Sequence, residues 1–590
     1  MKNKQGKTSE YIFTSPNYVH TMIEYSGEFQ GNIKDVESVY ITLINNEYAI
    51  VSIASDIIVK DNKLNNFNDI NYIRSIVEEY VDSSSFNIIY IVQPQLYTLQ
   101  EISAVDVAQV NLLQANISLN LSGNGVIVGI VDTGIDYLSE EFRDKNGKSR
   151  IISMWDQTIR GDDDNTIIPF GSLYTREEIN KAIDVYEAGG NPYDIVPSKD
   201  TNGHGTGMAG IVGALGKNKD IKGIAPECEF VIVKLSEANY TKKILNTETP
   251  IFSLVTVFSA IEYLKRVLFK EKKPLVILLP LGSNNGNHKG DNIFNSFIES
   301  ISSNVGIVIV TGSGNEANKD GHVSGVIIDK ENIEVIDLLV QENQRYMAIE
   351  IWVELPSIID INLISPSGEE TGFIQGSINV QKVNTFIFEK TQTKISYYLP
   401  EEYTGEELIT IVFADIAPGV WQIKLRLRSG EMARYNAWLW QSGIALPGTR
   451  FLPSDQYGTV TTPGDSDFVV TVAAYNQNNN NSLSYSGVSF REENINKIDL
   501  SAGGVNTITV GLNNSTQVIN GTSLAAAIGA GACILLFQWG IVQGNYPYMY
   551  SQSIKTFLRR GVNKRGKDIY PNPQWGYGII NFYKIFEEMI

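Results

Sequence analysis

Three polar residues stand where the surrounding sequence gives them chemical leverage: Asp132, His204 and Ser523. Asp132 closes the apolar run Val126-Ile-Val-Gly-Ile-Val131 and is followed by Thr133-Gly134. His204 lies in Asn202-Gly-His-Gly-Thr-Gly-Met-Ala-Gly210, a polar loop running into small residues. Ser523 ends Asn520-Gly-Thr-Ser and opens Leu524-Ala-Ala-Ala-Ile-Gly-Ala-Gly-Ala-Cys-Ile-Leu-Leu-Phe537, apolar on every side. A helix there must be buried all round, and its unpaired N–H groups and positive dipole end face the Ser523 hydroxyl. A hydroxyl so placed suits a nucleophile that passes through an oxyanion. An imidazole that takes and returns its proton, and a carboxylate that orients the imidazole, complete an acyl-transfer set. Asn315, in Thr311-Gly-Ser-Gly-Asn315, supplies an amide able to donate to that oxyanion, a contribution worth on the order of 10²–10³ in turnover.

Each feature also has a plainer explanation. Ser523 alone would be an N-cap on a core helix, His204 a loop histidine and Asn315 a loop amide. His20, His288 and His322, the other histidines, lack comparable surroundings. Asp-Thr-Gly is also the mark of aspartic proteases, but that chemistry needs two such carboxylates side by side. With no second copy in a matching setting, it would require a homodimer. Gly205-Thr-Gly207-Met-Ala-Gly210 satisfies the dinucleotide fingerprint but follows a polar loop, not a strand, so it is discounted.

The order Asp, His, Ser is that of the subtilisin-like proteases, and Ile130-Val-Asp132-Thr-Gly-Ile-Asp136, Asn202-Gly-His204-Gly-Thr and Gly521-Thr-Ser523-Leu-Ala-Ala resemble their three motifs. Asn315 matches the oxyanion asparagine. Within that family the chain resembles the clostridial spore-germination proteases, the Csp group, through Gly125-Val-Ile-Val-Gly-Ile-Val-Asp-Thr-Gly-Ile-Asp-Tyr137, Arg150-Ile-Ile-Ser-Met-Trp-Asp-Gln157, Gly203–Gly210 and Gly521–Ile528. The resemblance covers residue 90 or so to the end, apart from a less distinctive β region. It implies an active serine endopeptidase with a prodomain retained after self-cleavage and an inserted jelly-roll-like domain. It also implies a protein substrate, the proform of a spore-cortex peptidoglycan hydrolase, and incorporation into the spore. The retained prodomain would be bound in cis, with Gln100 the residue before the cut. Substrate is expected to add as a strand beside Leu279, Pro280, Leu281, Gly282 and Ser283, and Gly312 is expected among the substrate-binding residues. Three departures bear on specificity. Gly207 stands where many subtilisins carry a second His, Ala527 where many carry Pro, and Pro280 removes a backbone N–H that a substrate would use. A catalytically silent binding protein on the same fold is the alternative from a different class.

The elements that must position these residues follow from the hydrophobic pattern. Apolar strands at Val126–Val131, Phe230–Leu235, Leu275–Leu279, Gly306–Val310, Phe468–Ala473 and Ile498–Ala502 alternate with helices at Leu254 to about Phe269, Ile293–Ile301 and Leu524 to about Gln538. This is an α/β fold, a mostly parallel sheet with helices on both faces and its ligand crevice at the strands' carboxyl ends. Between them come helix-free alternating strands, 334–339, 347–353, 359–364, 408–413 and 420–427, an all-β signature. Trp352, Trp421, Trp438 and Trp440 fall in or beside such strands and are expected in its core. The expected division is a small α+β prodomain at 1–100, catalytic domain at 101–328 and 453–590, and the β insertion at 329–452.

In the first hundred residues a hairpin is expected at 39–44 and 48–53, a helix at 70–80 and a strand at 87–92; residues 1 to about 35 read as an extended or loosely packed arm. Gln93-Pro-Gln-Leu-Tyr-Thr-Leu-Gln100 reads as an exposed connection whose tail, Leu96–Gln100, could lie in the cleft. A net charge of −19 opposes binding to nucleic acid or anionic membrane. Cys228 and Cys533, the two cysteines, lie in apolar sequence and are expected as buried thiols. No apolar signal segment follows Met1, and the run after Ser523 is read as too short and Gly-rich for a membrane span. No cofactor or metal loop is read, and a monomer is expected.

Overall fold

The computed structural model describes residues 11–27, 38–58, 73–77, 86–92, 94–100, 121–161, 167–378, 380–492 and 496–587. Its centre is a sheet in which Leu500–Gly503, Val469–Asn476, Ile307–Gly312, Leu275–Leu278, Ile127–Asp132, Glu229–Lys234 and Ile151–Asp156 run parallel, in that spatial order. Short strands extend both edges: Ile579–Ile580 pairs parallel with Leu500–Gly503 and carries Val562–Asn563 antiparallel, and Ser172–Thr175 pairs antiparallel with Ile151–Asp156. Because both faces are covered, the strands read as unbroken apolar runs, yet the pleat still sorts them. Val128, Ile130, Val276, Leu278, Val308, Val310, Val470 and Val472 face the helices His204–Gly213, Thr522–Phe537 and Ser551–Arg560. Ile127, Val131, Leu275, Ile277, Ile307, Ile309 and Val469 face Leu254–Glu271 and Ile293–Ser302.

The small residues of the serine helix are required by proximity. A Cβ on Gly529 would lie 2.7 Å from a Val472 methyl, and one on Gly531 2.7 Å from Ile224. By length and composition the 21-residue helix Thr522–Val542 is long enough to cross a bilayer, which corrects the reading that it is too short. It is the buried core helix of the sheet. Cys228 and Cys533 are free and buried, and burial pushes the Cys228 thiol up to about 11.

The N-terminal residues form a four-stranded antiparallel sheet in the order Val39–Leu43, Tyr48–Ala54, Tyr18–Gly27, Phe86–Ile91. Tyr18–Gly27 is thus an inner strand, where the sequence was read as an extended or loosely packed arm. Its side chains are buried on both faces, so no polar alternation marks it: Val19, Ile23 and Tyr25 meet Ile73, Ile76 and Val77, whereas Tyr18 and Met22 join the core under Leu254 and Phe258. Of the helix expected at 70–80, residues 73–77 are helical and the rest lies outside the described residues.

After Ile307–Gly312 the chain leaves the parallel sheet and builds two antiparallel sheets before returning at Val469. One has six strands, His322–Ile327, Ala433–Leu439, Tyr346–Val353, Glu407–Ala414, Gln392–Tyr398 and Gln381–Thr385. The other has four, Ile358–Ile364, Gly419–Ser429, Ile333–Val340 and Arg450–Leu452. Ile349, Ile351, Ile411, Ile423 and Leu425 fill the space between them. All four tryptophans are buried, as expected, but only Trp421 lies between the two sheets. Trp352, Trp438 and Trp440 lie on the opposite face of the six-stranded sheet, in smaller clusters with Phe490, Leu96 and Ile251. The inner strands Ala433–Leu439, Tyr346–Val353 and Glu407–Ala414 of that sheet are therefore covered on both faces, and Trp438 is sandwiched between the rings of His288 and His322 at the junction.

Candidate active site

Asp132 and His204 meet because a strand end and a helix start are fastened to each other. Asp132, fully buried, takes the Thr133 N–H on Oδ1 at 2.7 Å. His204 is the first residue of its helix, after Gly203 at φ 92°, and its Nδ1 lies 2.8 and 2.9 Å from the two Asp132 oxygens. An ionised carboxylate only accepts, so Nδ1 carries the proton and Nε2 is the basic nitrogen. The fastening is Asp200, a residue the sequence reading missed. Its Oδ1 accepts from Thr133 Oγ1, Asn202 N and Gly203 N, and its Oδ2 from Thr206 N and Oγ1. One carboxylate thus ties the Asp132 loop to the His204 helix. No sequence mark sets this Asp apart, since the residue at the N-cap position is Gly203. Gly205 permits the close approach, since a Cβ there would sit 2.2 Å from the Gly134 carbonyl oxygen.

Ser523 opens its helix beside the His204 helix, with which it is in contact. Its hydroxyl is buried and makes no hydrogen bond among the described residues. The Asn315 carbonyl oxygen accepts from Thr522 N at 3.2 Å and Thr522 Oγ1 at 3.1 Å. That fixes which way the amide faces and leaves its Nδ2 buried and without a hydrogen-bond partner among the described residues. Glu316, next in sequence, is held by Ser442 N and Oγ, and burial raises its carboxyl above the ordinary range.

The cleft is filled by the chain itself. Leu96–Leu99 forms a strand between Leu281–Gly282 and Phe252–Ser253, antiparallel to both: Leu99 pairs with Leu281, Thr98 with Gly282, Tyr97 with Phe252 and Leu96 with Ser253. The Gln100 N–H donates to the Pro280 carbonyl at 3.2 Å, and the Gln100 carbonyl accepts from Ser523 N at 3.2 Å. Far from being an exposed connection, Tyr97 is wholly buried and Gln100 4% exposed. Strand addition supplies the partners that its own polar sequence lacks. Glu101 lies outside the described residues.

Gln100 seats its side chain in a pocket of carbonyls. Its Nε2 donates to Leu281 O at 3.0 Å, Thr461 Oγ1 at 3.0 Å and Gly312 O at 3.3 Å. Two glycines form the walls: a Cβ on Gly312 would be 2.4 Å from Gln100 Oε1, and one on Gly282 2.7 Å from Nε2. Of the five consecutive residues expected beside the substrate, Pro280, Leu281 and Gly282 touch this segment. Leu279 is spent inside the sheet on Val310 and Thr311, and Ser283 pairs instead with Thr462. The carbonyl of Pro280 serves although its nitrogen cannot. Thr461 and the Phe252–Ser253 wall were not foreseen, because neither carries a sequence mark of its role.

The profile of the subtilase family, Peptidase_S8, matches residues 123–333 and 454–578, more than half the chain. The chain belongs to the subtilase family. Among solved structures it is similar to the Clostridium perfringens CspB protease, with 29% identity over 80% of this chain and 96% of that one and a TM-score of 0.71. A cold-adapted subtilisin-like serine proteinase matches at 14% identity over 81% of this chain and 94% of that one, with a TM-score of 0.37. No curated protein matches significantly.

The gap between the matched segments, 334–453, coincides with most of the two-sheet β unit of this subtilase. Gly207 has a local reason to lack a side chain: a Cβ would fall 2.2 Å from Ile519 Cδ1 and 2.7 Å from Gln517 Nε2. The hairpin Thr507–Val510 and Thr516–Ile519 packs over that turn and bonds to it through Thr509 and Gln517.

Proposed function

We propose that this subtilase is a serine endopeptidase that cuts its own chain after Gln100 and then retains the product in its cleft. In the reaction His204 Nε2 accepts the Ser523 proton as Oγ attacks the Gln100 carbonyl, and Asp132 steadies the imidazole. Ser523 N and Asn315 Nδ2 stabilise the oxyanion. The protonated imidazole returns its proton to the departing Glu101 nitrogen, and water then releases the acyl-enzyme.

The observation that carries this reading is the Gln100 carbonyl on the Ser523 N–H, with the residues before it paired as a strand along the cleft wall. Residues 1–100 then act as a prodomain that blocks the site until displaced. Likeness to the CspB protease and the Csp-like motifs support a substrate in trans: the proform of a spore-cortex peptidoglycan hydrolase, cut in the germinating spore. The intact mass of the purified chain tests the core of the proposal. Two co-purifying fragments dividing after Gln100, and a single full-length species for Ser523→Ala, are expected. Cleavage of Ser523→Ala at that bond would refute it.

A further inference from the structure

The β unit reaches into the same cleft, at the end remote from Ser523. Counting back from Gln100, Leu96 is the fifth residue, and in an extended strand it shares a face with Thr98 and Gln100. Its side chain, 3% exposed, is enclosed by Ile251 of the subtilase body and by Ala348, Trp440 and Ile444 of the β unit. Its backbone is held at both polar atoms. The Leu96 carbonyl accepts from Gln441 Nε2 at 2.7 Å, and its N–H donates to Asn285 Oδ1 at 3.4 Å.

Both holders are themselves fixed across the junction. Gln441 Oε1 accepts from Asn284 N, and Asn285 Nδ2 donates to Glu350 Oε1 at 2.6 Å. Glu350, on the β unit, also takes Gly286 N at 2.9 Å and Trp352 Nε1 at 3.1 Å. Ser442, beside Gln441, is bonded to Glu316, next to Asn315. A single loop of the β unit, Trp440–Ile444, therefore meets the cleft at Leu96 and the oxyanion loop at Glu316.

We infer that the β unit builds a specificity subsite for the fifth residue before the cut. Trp440, Ile444 and Ala348 take an apolar side chain there, and Gln441 with Asn285 grips its backbone. The inference rests on the reading of Leu96–Gln100 as a substrate-like strand. The peptide class selected is extended, with Gln at the cut, a large aromatic three residues before it, as Tyr97 stands here, and Leu or a similar aliphatic one residue earlier. The β unit is then part of the recognition surface as well as a packing element.

Hydrogen exchange on the uncut full chain, Ser523→Ala, separates this inference from the reading beneath it. Peptides covering 94–100 should be protected in that parent. Adding Trp440→Ala or Leu96→Ala should each speed their exchange about tenfold or more, since each removes most of one buried apolar contact. The two together should be little worse than either alone, because both delete the same contact. Trp440→Phe should restore protection, and peptides from Ile127–Asp132 should not change in any variant. Leu96→Ala leaves the β unit intact, so it reports even if Trp440→Ala loosens that unit. Protection at 94–100 that survives both substitutions would overturn the subsite and leave the cleft reading standing. Free exchange of 94–100 in the parent would remove both.

Discussion

The pocket around Gln100 predicts a steep and chemically ordered response to substitution. Gln100→Glu keeps the shape of the side chain and removes the donors that satisfy Leu281 O, Gly312 O and Thr461 Oγ1. The Thr461 hydroxyl can turn to donate; the two carbonyls cannot. Among the described residues Leu281 O keeps only the long 3.4 Å bond from Thr311 Oγ1. Each buried acceptor left without a good donor costs about 1–3 kcal/mol, so the pair costs about 2–6 kcal/mol. Paid where the carbonyl must be aligned for attack, that is about 30-fold to 10⁴-fold in cleavage rate. A carboxylate facing two carbonyl oxygens worsens the loss. Gln100→Met removes the donors without adding charge, so the expected order of rates is Gln, then Met, then Glu. The assay is an intact-mass time course on freshly synthesised chain, following the species cut after residue 100. A Gln100→Glu chain cut there within about threefold of the native rate would refute the argument, because transition-state contacts of this size cannot be lost silently.

Two further outcomes follow from the same coordinates. Asn315→Ala should slow self-cleavage by about 10²–10³ while the Thr522–Phe537 helix persists, the loss being that of one oxyanion donor; circular dichroism beside the mass time course checks both halves. Glu407, buried in the β unit with Oε2 on Ile359 N, has its carboxyl pushed up to about 8 by burial and by the charge of Asp360. A raised carboxyl gives its full stability below the unfolded value near 4.5 and loses it as pH climbs through about 8, with a slope of at most about 1.4 kcal/mol per pH unit. Thermal melts from pH 5 to 9 should therefore fall less steeply for Glu407→Gln than for the native chain. Parallel curves would show that this group does not govern the β unit.

The residues proposed for chemistry were legible because proton transfer and oxyanion binding admit few side chains, and strand ends and helix starts announce themselves in apolar sequence. Asp132, His204, Asn315 and Ser523 stood out for that reason. Asp200 did not, since its role is to join two loops that meet only after folding, and one Asp in a polar stretch looks like any other. Tyr18–Gly27 failed differently: a strand covered on both faces loses the polar alternation on which recognition depends. Its mixed Tyr-Val-His-Thr-Met-Ile sequence was too polar to read as a core strand and too apolar for an edge.

The tryptophans make the same point at larger scale. Alternation along Tyr346–Val353 and Ala433–Leu439 puts Ile349, Ile351 and Ala437 on one face and Trp352 and Trp438 on the other, a division that the expectation of a single core did not make. What the pattern cannot say is that the second face is also covered, because its cover is the subtilase body and residues such as Leu96, some 345 positions away from Gln441. A sheet with solvent on that side would have carried charges there. Aromatic residues instead mark a face selected for contact, and the contact includes the segment held in the cleft. Removal of the β unit would therefore uncover Ile251 and Phe490, which those tryptophans cover, and open the far end of the cleft at Leu96, coupling cleft occupancy to the integrity of a unit that supplies none of the residues proposed for chemistry.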